Sequence, residues 1–273
     1  MYKYDLKTKE LTTDFSDGKE GILVADFISD LHLDFYINEM YSLEDFINKM
    51  LSEISQKAGD VLIVGGDISH KNDLSYCFLE RVSKIWGDVL VIPGNHEWYL
   101  QKKDEDRYSE LVESMEDFSN IHFLMDKVEI FEKNGVKFAG AMMMYNLQDS
   151  LDFLQWRGIM NDAKFISRDF ANKRNSKEVA YYKKVCSQID VFVSHVPIVN
   201  LDGSYAKRNL FWNTDVYPEE KVLHIAGHTH DKKDNVDCVD PISTSFPSIN
   251  VSFGYPSESE SRNVITRVHF DEH

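Results

Sequence analysis

Apolar positions in this chain follow two rhythms. Short runs rich in β-branched residues recur at Gly21–Ser29 (GILVADFIS), Asp60–Gly65 (DVLIVG), Asp88–Ile92 (DVLVI), Asp190–Ser194 (DVFVS) and Lys221–Ala226 (KVLHIA). Their length and composition predict buried strands. Between the first three, the apolar spacing becomes helical. Ser42–Lys57 carries Leu43, Phe46, Ile47, Met50, Leu51 and Ile54 at that spacing, behind an N-cap Ser with Asp45 three residues on, and stops at Gly59. Leu74–Ile85 predicts a second helix. Asp104–Phe118 predicts a third, with an acid-rich first turn that suits the helix dipole. Strand, helix, strand, helix, strand is the βαβ pattern of an α/β fold.

Beyond residue 120 the rhythm shortens. Lys127–Glu132 and Val136–Ala141 flank Lys133-Asn134-Gly135 and predict a hairpin on an Asn-Gly turn. Residues 142–189 interrupt the alternation with Met142–Met144, a Trp156-Arg157 pair and a basic helical stretch, Lys173–Lys184, and predict a cap or insertion. Strands return at Ile249–Phe253 and Val264–Phe270. With no internal repeat or dividing linker, residues 1–273 are expected to form one α/β domain with a mixed sheet or two facing sheets.

Composition narrows the partners. The 273 residues are 42% hydrophobic, enough for a substantial core, and 46 acids against 30 bases give a formal charge of −16. That balance argues against duplex nucleic acid, which is held by clustered Lys and Arg. A small phosphate ester stays compatible, because bound divalent cations invert the local field. Cys77, Cys186 and Cys238 form no CxxC pair and predict reduced thiols. MYKYDLKTKE has no apolar leader core, and no window reaches the roughly 18 apolar residues of a membrane span. A cytoplasmic protein without a membrane partner is expected.

The chemistry lies at the strand ends, where α/β sheets place their ligands. In order they carry Asp30-Leu31-His32, Gly66-Asp67, Gly94-Asn95-His96-Glu97, His195 and Gly227-His228-Thr229-His230. Taken singly, Asp67 reads as a helix cap, Asn95 as a turn residue and His195 as a core histidine. The i, i+2 pairs Asp30/His32 and His228/His230 ask more, since extended backbone would aim both members to one side. Together, seven oxygen and nitrogen donors without a thiolate suit Zn, Fe, Mn or Co. Seven are too many for one catalytic ion that keeps a position open, so two metals are implied.

These blocks resemble, in order, the D-x-H, G-D, G-N-H-[D/E], H and G-H-x-H pattern of the calcineurin-like metallophosphoesterases, over about Gly21–Phe253. The resemblance implies a four-layered α/β/β/α sandwich with mixed sheets. It implies one metal held by Asp30, His32, Asp67 and His230, and a second by Asp67, Asn95, His195 and His228. Asp67 would bridge two cations about 3.5–4 Å apart. The ions would be divalent transition metals, Mn foremost, with Fe, Zn, Co or Ni as alternatives. A hydroxide shared by the metals would attack phosphorus, and His96, with a reference pKa near 6.5, would protonate the leaving group. Glu97 either orients that imidazole or faces solvent.

The expected reaction is hydrolysis of a phosphomonoester or phosphodiester of a small or nucleotide-like substrate. A nuclease and a non-catalytic scaffold of the same fold are the alternatives. The protein Ser/Thr phosphatase branch resembles G-D-x-x-D-R-G at the second block; here His70 and Lys71 replace its second Asp and its Arg, which argues against protein phosphatase activity. Lys71 is a candidate phosphate contact. Tyr145, Trp156, Arg157, Asn161 and Phe165 are candidates for substrate choice against a core role, together with the Pro197–Asn213 loop. Lys173, Arg174, Lys177, Lys183 and Lys184 read as a solvated helix face. His122, His224 and His269 lie among apolar strand residues and read as core.

Overall fold

The computed structural model describes residues 1–13, 22–38, 41–99, 107–199, 212–213, 215–230, 246–258 and 262–272. Twelve strands are found among them: β1 (Tyr2–Asp5), β2 (Leu11–Thr13), β3 (Leu23–Ile28), β4 (Val61–Val64), β5 (Asp88–Val91), β6 (Ile121–Phe123), β7 (Phe131–Lys133), β8 (Val136–Ala141), β9 (Val191–Ser194), β10 (Leu223–Ala226), β11 (Ser248–Asn250) and β12 (Thr266–Asp271). The helices are α1 (Leu33–Tyr36), α2 (Leu43–Glu53), α3 (Asn72–Ser83), α4 (Arg107–Ser114), α5 (Ser150–Ile159) and α6 (Arg168–Val185). The start of the helix expected from Asp104, residues 200–211 of the Pro197–Asn213 loop, and Cys238 lie outside the described residues.

Local chemistry sets these elements as expected. Ser42 accepts the N–H of Asp45 while the Asp45 carboxylate accepts that of Ser42, a reciprocal cap that starts α2. Asn134 and Gly135 both take positive φ, as a two-residue turn joining antiparallel β7 and β8 requires. The last two strands part company: β11 joins the sheet of β10, whereas β12 inserts between β1 and β3 in the other.

Two mixed sheets result, one ordered β2-β1-β12-β3-β4-β5-β6 and the other β11-β10-β9-β8-β7. Strand alternation divides the apolar residues among three layers of core. Leu23, Ala25, Phe27, Val61, Ile63 and Leu90 meet Phe138, Val191, Val193 and Leu223 between the sheets. Leu62, Val64, Val89 and Val91 point the other way, onto Phe46, Met50, Phe78 and Leu79 of α2 and α3. Ala139, Ala141 and Phe192 pack against Tyr181, Tyr182 and Val185 of α6. Helix, sheet, sheet, helix is the four-layered α/β/β/α sandwich. The parallel strands β3, β4 and β5 of one sheet and β9 and β10 of the other end at the same place, and the loops beyond them carry the donors.

Candidate metal centre

All seven proposed ligands and His96 converge beyond those strand ends. Asp30, His32, Asp67, Asn95 and His195 are buried, and His228 and His230 are half-buried. On one side, His230 Nε2 lies 2.9 Å from Asp30 Oδ1 and 3.0 Å from His32 Nε2. On the other, Asn95 Oδ1 lies 2.8 Å from His195 Nε2 and 3.1 Å from His228 Nδ1. Asp67 Oδ2 stands between them, 3.9 Å from His32 Nε2, 3.3 Å from His195 Nε2 and 3.7 Å from His96 Nε2. Asp30, His32 and His230, and separately Asp30, Asp67 and His195, each bring three ligand atoms within 4.8 Å of one another. Either trio could hold a cation.

The route to that convergence differs from the expected one. Extended backbone does not aim the i, i+2 pairs; Asp30, His32, Asp67, His228 and His230 all adopt left-handed φ, between 44° and 68°. Such conformations cost non-glycine residues about 1–2 kcal/mol each, and they persist only where neighbours fix them. Here Asp30 N–H donates to Gly66 O, His32 N–H to Asp67 O, and His228 N–H to the Asp30 carboxylate. Gly94 is obligatory in the same frame, because a Cβ there would come within 2.1 Å of Asp67 Oδ1.

The electrostatics fit a cation. Burial works against a charge on His195, yet Asp67 and Asp30 outweigh it and push the imidazole up to about 10. The negative potential of the two carboxylates that holds a proton there also attracts a cation, which would displace that proton on binding. Burial pushes His228 down to about 3 and His32 to about 4, leaving neutral rings with lone pairs to offer. Outer partners set which nitrogen does so. His195 Nδ1 donates to Gly65 O at 2.9 Å and His230 Nδ1 faces Glu258 Oε2 at 2.9 Å, so both present Nε2 inward.

Residues 24–232 match the calcineurin-like phosphoesterase family, most of the chain. The chain belongs to that family. The chain is 25% identical over 239 residues to an uncharacterized protein of Acanthamoeba polyphaga mimivirus, covering 75% of this chain and 83% of that one. Its fold is similar to that of a phosphopantetheinyl hydrolase from Mycobacterium tuberculosis, with a TM-score of 0.64, 18% identity, and coverage of 90% of this chain and 95% of the other. No helix among the described residues of the phosphoesterase is long and apolar enough to cross a membrane.

Several side chains around these donors depart from their sequence readings. Glu97 neither faces solvent nor touches the His96 ring. It is buried and accepts the N–H groups of Asp67, Ile68 and Gly94 at 2.8, 2.8 and 2.6 Å, locking the G-D loop to the G-N-H-E loop. Burial and the nearby Asp67 push its carboxyl up to about 7. His70, in place of the phosphatase Asp, makes a close contact through Nε2 with His96 Nδ1, and Asp34 lies behind it, 3.5 Å from His70 Nδ1. Arg107 donates to Tyr99 O at 2.8 Å and to Asn72 Oδ1 at 3.1 Å, tying down the loop that carries His96. Lys71 is exposed ahead of α3. Among the candidates for substrate choice, Tyr145 and Trp156 are buried in the core, whereas Phe165 is 43% exposed and stacks on Tyr99, which in turn stacks on His96. Arg174 is no solvated helix residue: it is buried against Glu178 and Asp126. His224 is core as expected, while His122 is half-buried and faces Asp88 at 3.0 Å.

Proposed function

We propose that this chain is a dinuclear metal-dependent phosphoesterase that hydrolyses a phosphomonoester or phosphodiester of a small or nucleotide-like substrate. One observation carries the reading: a single carboxylate oxygen, Asp67 Oδ2, faces both donor groups. Two like-charged ions close together need a shared anion, which a carboxylate provides and a neutral imidazole does not. Asp30, His32, Asp67 and His230 would hold one ion, and Asp67, Asn95, His195 and His228 the other. The mixed imidazole, carboxylate and amide donors suit divalent transition metals, among which the family resemblance puts Mn foremost, with Fe, Zn, Co or Ni as alternatives. When bound, the pair supplies neutralisation of charge at the phosphoryl oxygens and a more acidic attacking water.

The chain's own residues do the rest. His96 Nε2 opens toward Asp67, and the His70 ring at Nδ1 fixes the imidazole plane. Burial holds the free His96 imidazole well below its ordinary value. A phosphoryl anion beside it adds the negative charge that favours the protonated ring, which gives up its Nε2 proton and returns to neutral imidazole. His96 thus donates to the leaving oxygen, while the Glu97 clamp keeps Asp67 and His96 in register.

The test is a parallel assay, with Mn²⁺, of an aryl phosphomonoester, an aryl phosphodiester, cyclic nucleotides and single-stranded DNA. Turnover of the aryl or nucleotide esters is expected. His96→Ala should retain both ions and lose turnover by about 10²–10⁴-fold, the range of a positioned acid. Inactivity toward every ester, or a fully active His96→Ala, would overturn the assignment.

A further inference from the structure

Asn95 holds an ambiguous position. A side-chain amide is nearly the same shape at both ends, so the loop alone does not decide whether its oxygen or its nitrogen meets a cation. The difference is large, since Oδ1 offers lone pairs and Nδ2 only hydrogens.

The decision comes from residue 162. Asp162 sits in the 3-10 turn Asn161–Lys164, between α5 and α6, and is 1% exposed. Its Oδ1 accepts from Asn95 Nδ2 at 2.9 Å, Tyr99 OH donates closely to the same oxygen, and Tyr145 OH donates closely to Oδ2. Asn95 Nδ2 also lies 3.2 Å from the Tyr99 hydroxyl, on the same side. With Tyr99 OH donating to Oδ1 and Tyr145 OH to Oδ2, both Asp162 oxygens act as acceptors, so the nitrogen end of Asn95 is the one that faces them. The amide nitrogen is thereby held on the Asp162 side, and Oδ1 is turned toward His195 and His228. These donors are an amide and two hydroxyls with no formal charge, which makes burying the carboxylate expensive for stability alone.

We propose that Asp162 is a positioning residue: through Tyr99, Tyr145 and Asn95 it orients one half of the metal site, giving the 142–189 segment a place behind the site. This inference rests on the dinuclear reading above. Tyr145 extends the same support, its hydroxyl lying 3.4 Å from His228 Nε2.

Mn²⁺ binding to the metal-stripped chain, followed by calorimetry and electron paramagnetic resonance, tests it without reference to activity. Asp162→Asn presents either an acceptor or a donor to Asn95 and so releases the selection. One of two Mn²⁺ ions is expected to bind about 10–100-fold more weakly, as for other outer partners of metal ligands, and the second to stay within about threefold. Tyr145→Phe, which keeps the Asp162–Asn95 contact, should weaken the same ion by less than about tenfold. If Asp162→Asn does not fold, Tyr99→Phe, which removes both the second acceptor for Asn95 and a donor to Asp162, replaces it with the same expectation. Two ions bound at wild-type affinity by these variants, with only the unfolding midpoint moved, would overturn the support role alone. Fewer than two ions on the wild-type chain would overturn the dinuclear reading and this role with it.

Discussion

Two buried polar clusters in this protein invite comparison. In α6, Arg174 Nε donates to Glu178 Oε1 at 2.5 Å, and Nη2 reaches Asp126 Oδ2 at 3.4 Å. Glu178 Oε2 accepts the Met144 N–H at 2.7 Å, and the guanidinium lies over the Trp98 ring at 5.2 Å. Donors there meet acceptors on a regular helix. At the strand ends the balance fails: two carboxylates, five imidazoles and an amide crowd together, two Nε2 atoms face each other at 3.0 Å, and five of the residues hold left-handed backbone. Burial and charge are common to both clusters. What separates them is closure: Arg174 and Glu178 complete each other, whereas the strand-end donors converge on points that a cation would complete.

That distinction can be broken by exchanging the two outcomes. The largest effect is expected from Asp67→Asn, which removes the shared charge. Turnover of an aryl phosphate with Mn²⁺ should fall at least about 10³-fold, on the scale of losing a principal electrostatic contact in the transition state. The urea midpoint of the metal-free chain should fall too, because the attraction between Asp67 and the His195 ring 3.3 Å away outweighs the repulsion from Asp30. Next comes Glu178→Ala, which removes the nearer partner of Arg174 and leaves it only the 3.4 Å contact with Asp126. It should cost about 3–5 kcal/mol in urea unfolding, as a half-removed buried ion pair does, while the folded fraction still binds Mn²⁺ with wild-type stoichiometry. A stable Glu178→Ala chain that has lost its metals, or a fully active Asp67→Asn, would erase the difference between the clusters.

Much of this was legible in the sequence, for a physical reason. Strands such as DVLIVG and DVFVS announce themselves because both faces are buried, and the residue after such a strand falls at the site edge whatever the details of the loop. Asp30, His32, Asp67, Asn95, His195, His228 and His230 could therefore be gathered before their geometry was known. The mode of convergence was not legible: left-handed φ at Asp30 or His230 is fixed by hydrogen bonds to loops far away in sequence, such as Asp30 N–H to Gly66 O. The supporting residues were hidden for the same cause. Glu97 adjoins His96 and invites a local role, yet its carboxylate serves the backbone of Asp67 and Ile68, 29 to 30 residues away. Asp162 and Glu258 have no motif around them; only contacts spanning 67 and 28 residues identify them. Arg174 lies in a stretch of lysines that reads as a solvated face, and its neutralising acids come from one helical turn on and from a loop before β7.

His224 sharpens the comparison with a third case, a histidine on a strand that leads into the site but outside the site itself. It lies in β10, buried, with Nε2 donating to Glu219 O at 3.0 Å and Nδ1 without a partner. Burial pushes its imidazole down to about 4. An unfolded chain would titrate it near 6.5, so between about 6.5 and 4 the unfolded state binds more protons than the folded one. Stability tied to His224 is therefore full above about pH 6.5 and is lost as the pH falls, by at most about 1.4 kcal/mol per unit and about 3 kcal/mol across the window. His32 and His228 change in the same sense, but a variant confined to residue 224 leaves their contributions in both chains. His224→Gln can keep the bond to Glu219 and cannot titrate. In urea unfolding of the metal-free chain at pH 7, 6 and 5, the wild-type advantage over His224→Gln should shrink by about 1–2 kcal/mol from the first to the last. A gap that stays constant over those values would mean that His224 carries no proton linkage, and that an unpartnered imidazole nitrogen in this core is tolerated without the cost that burial implies.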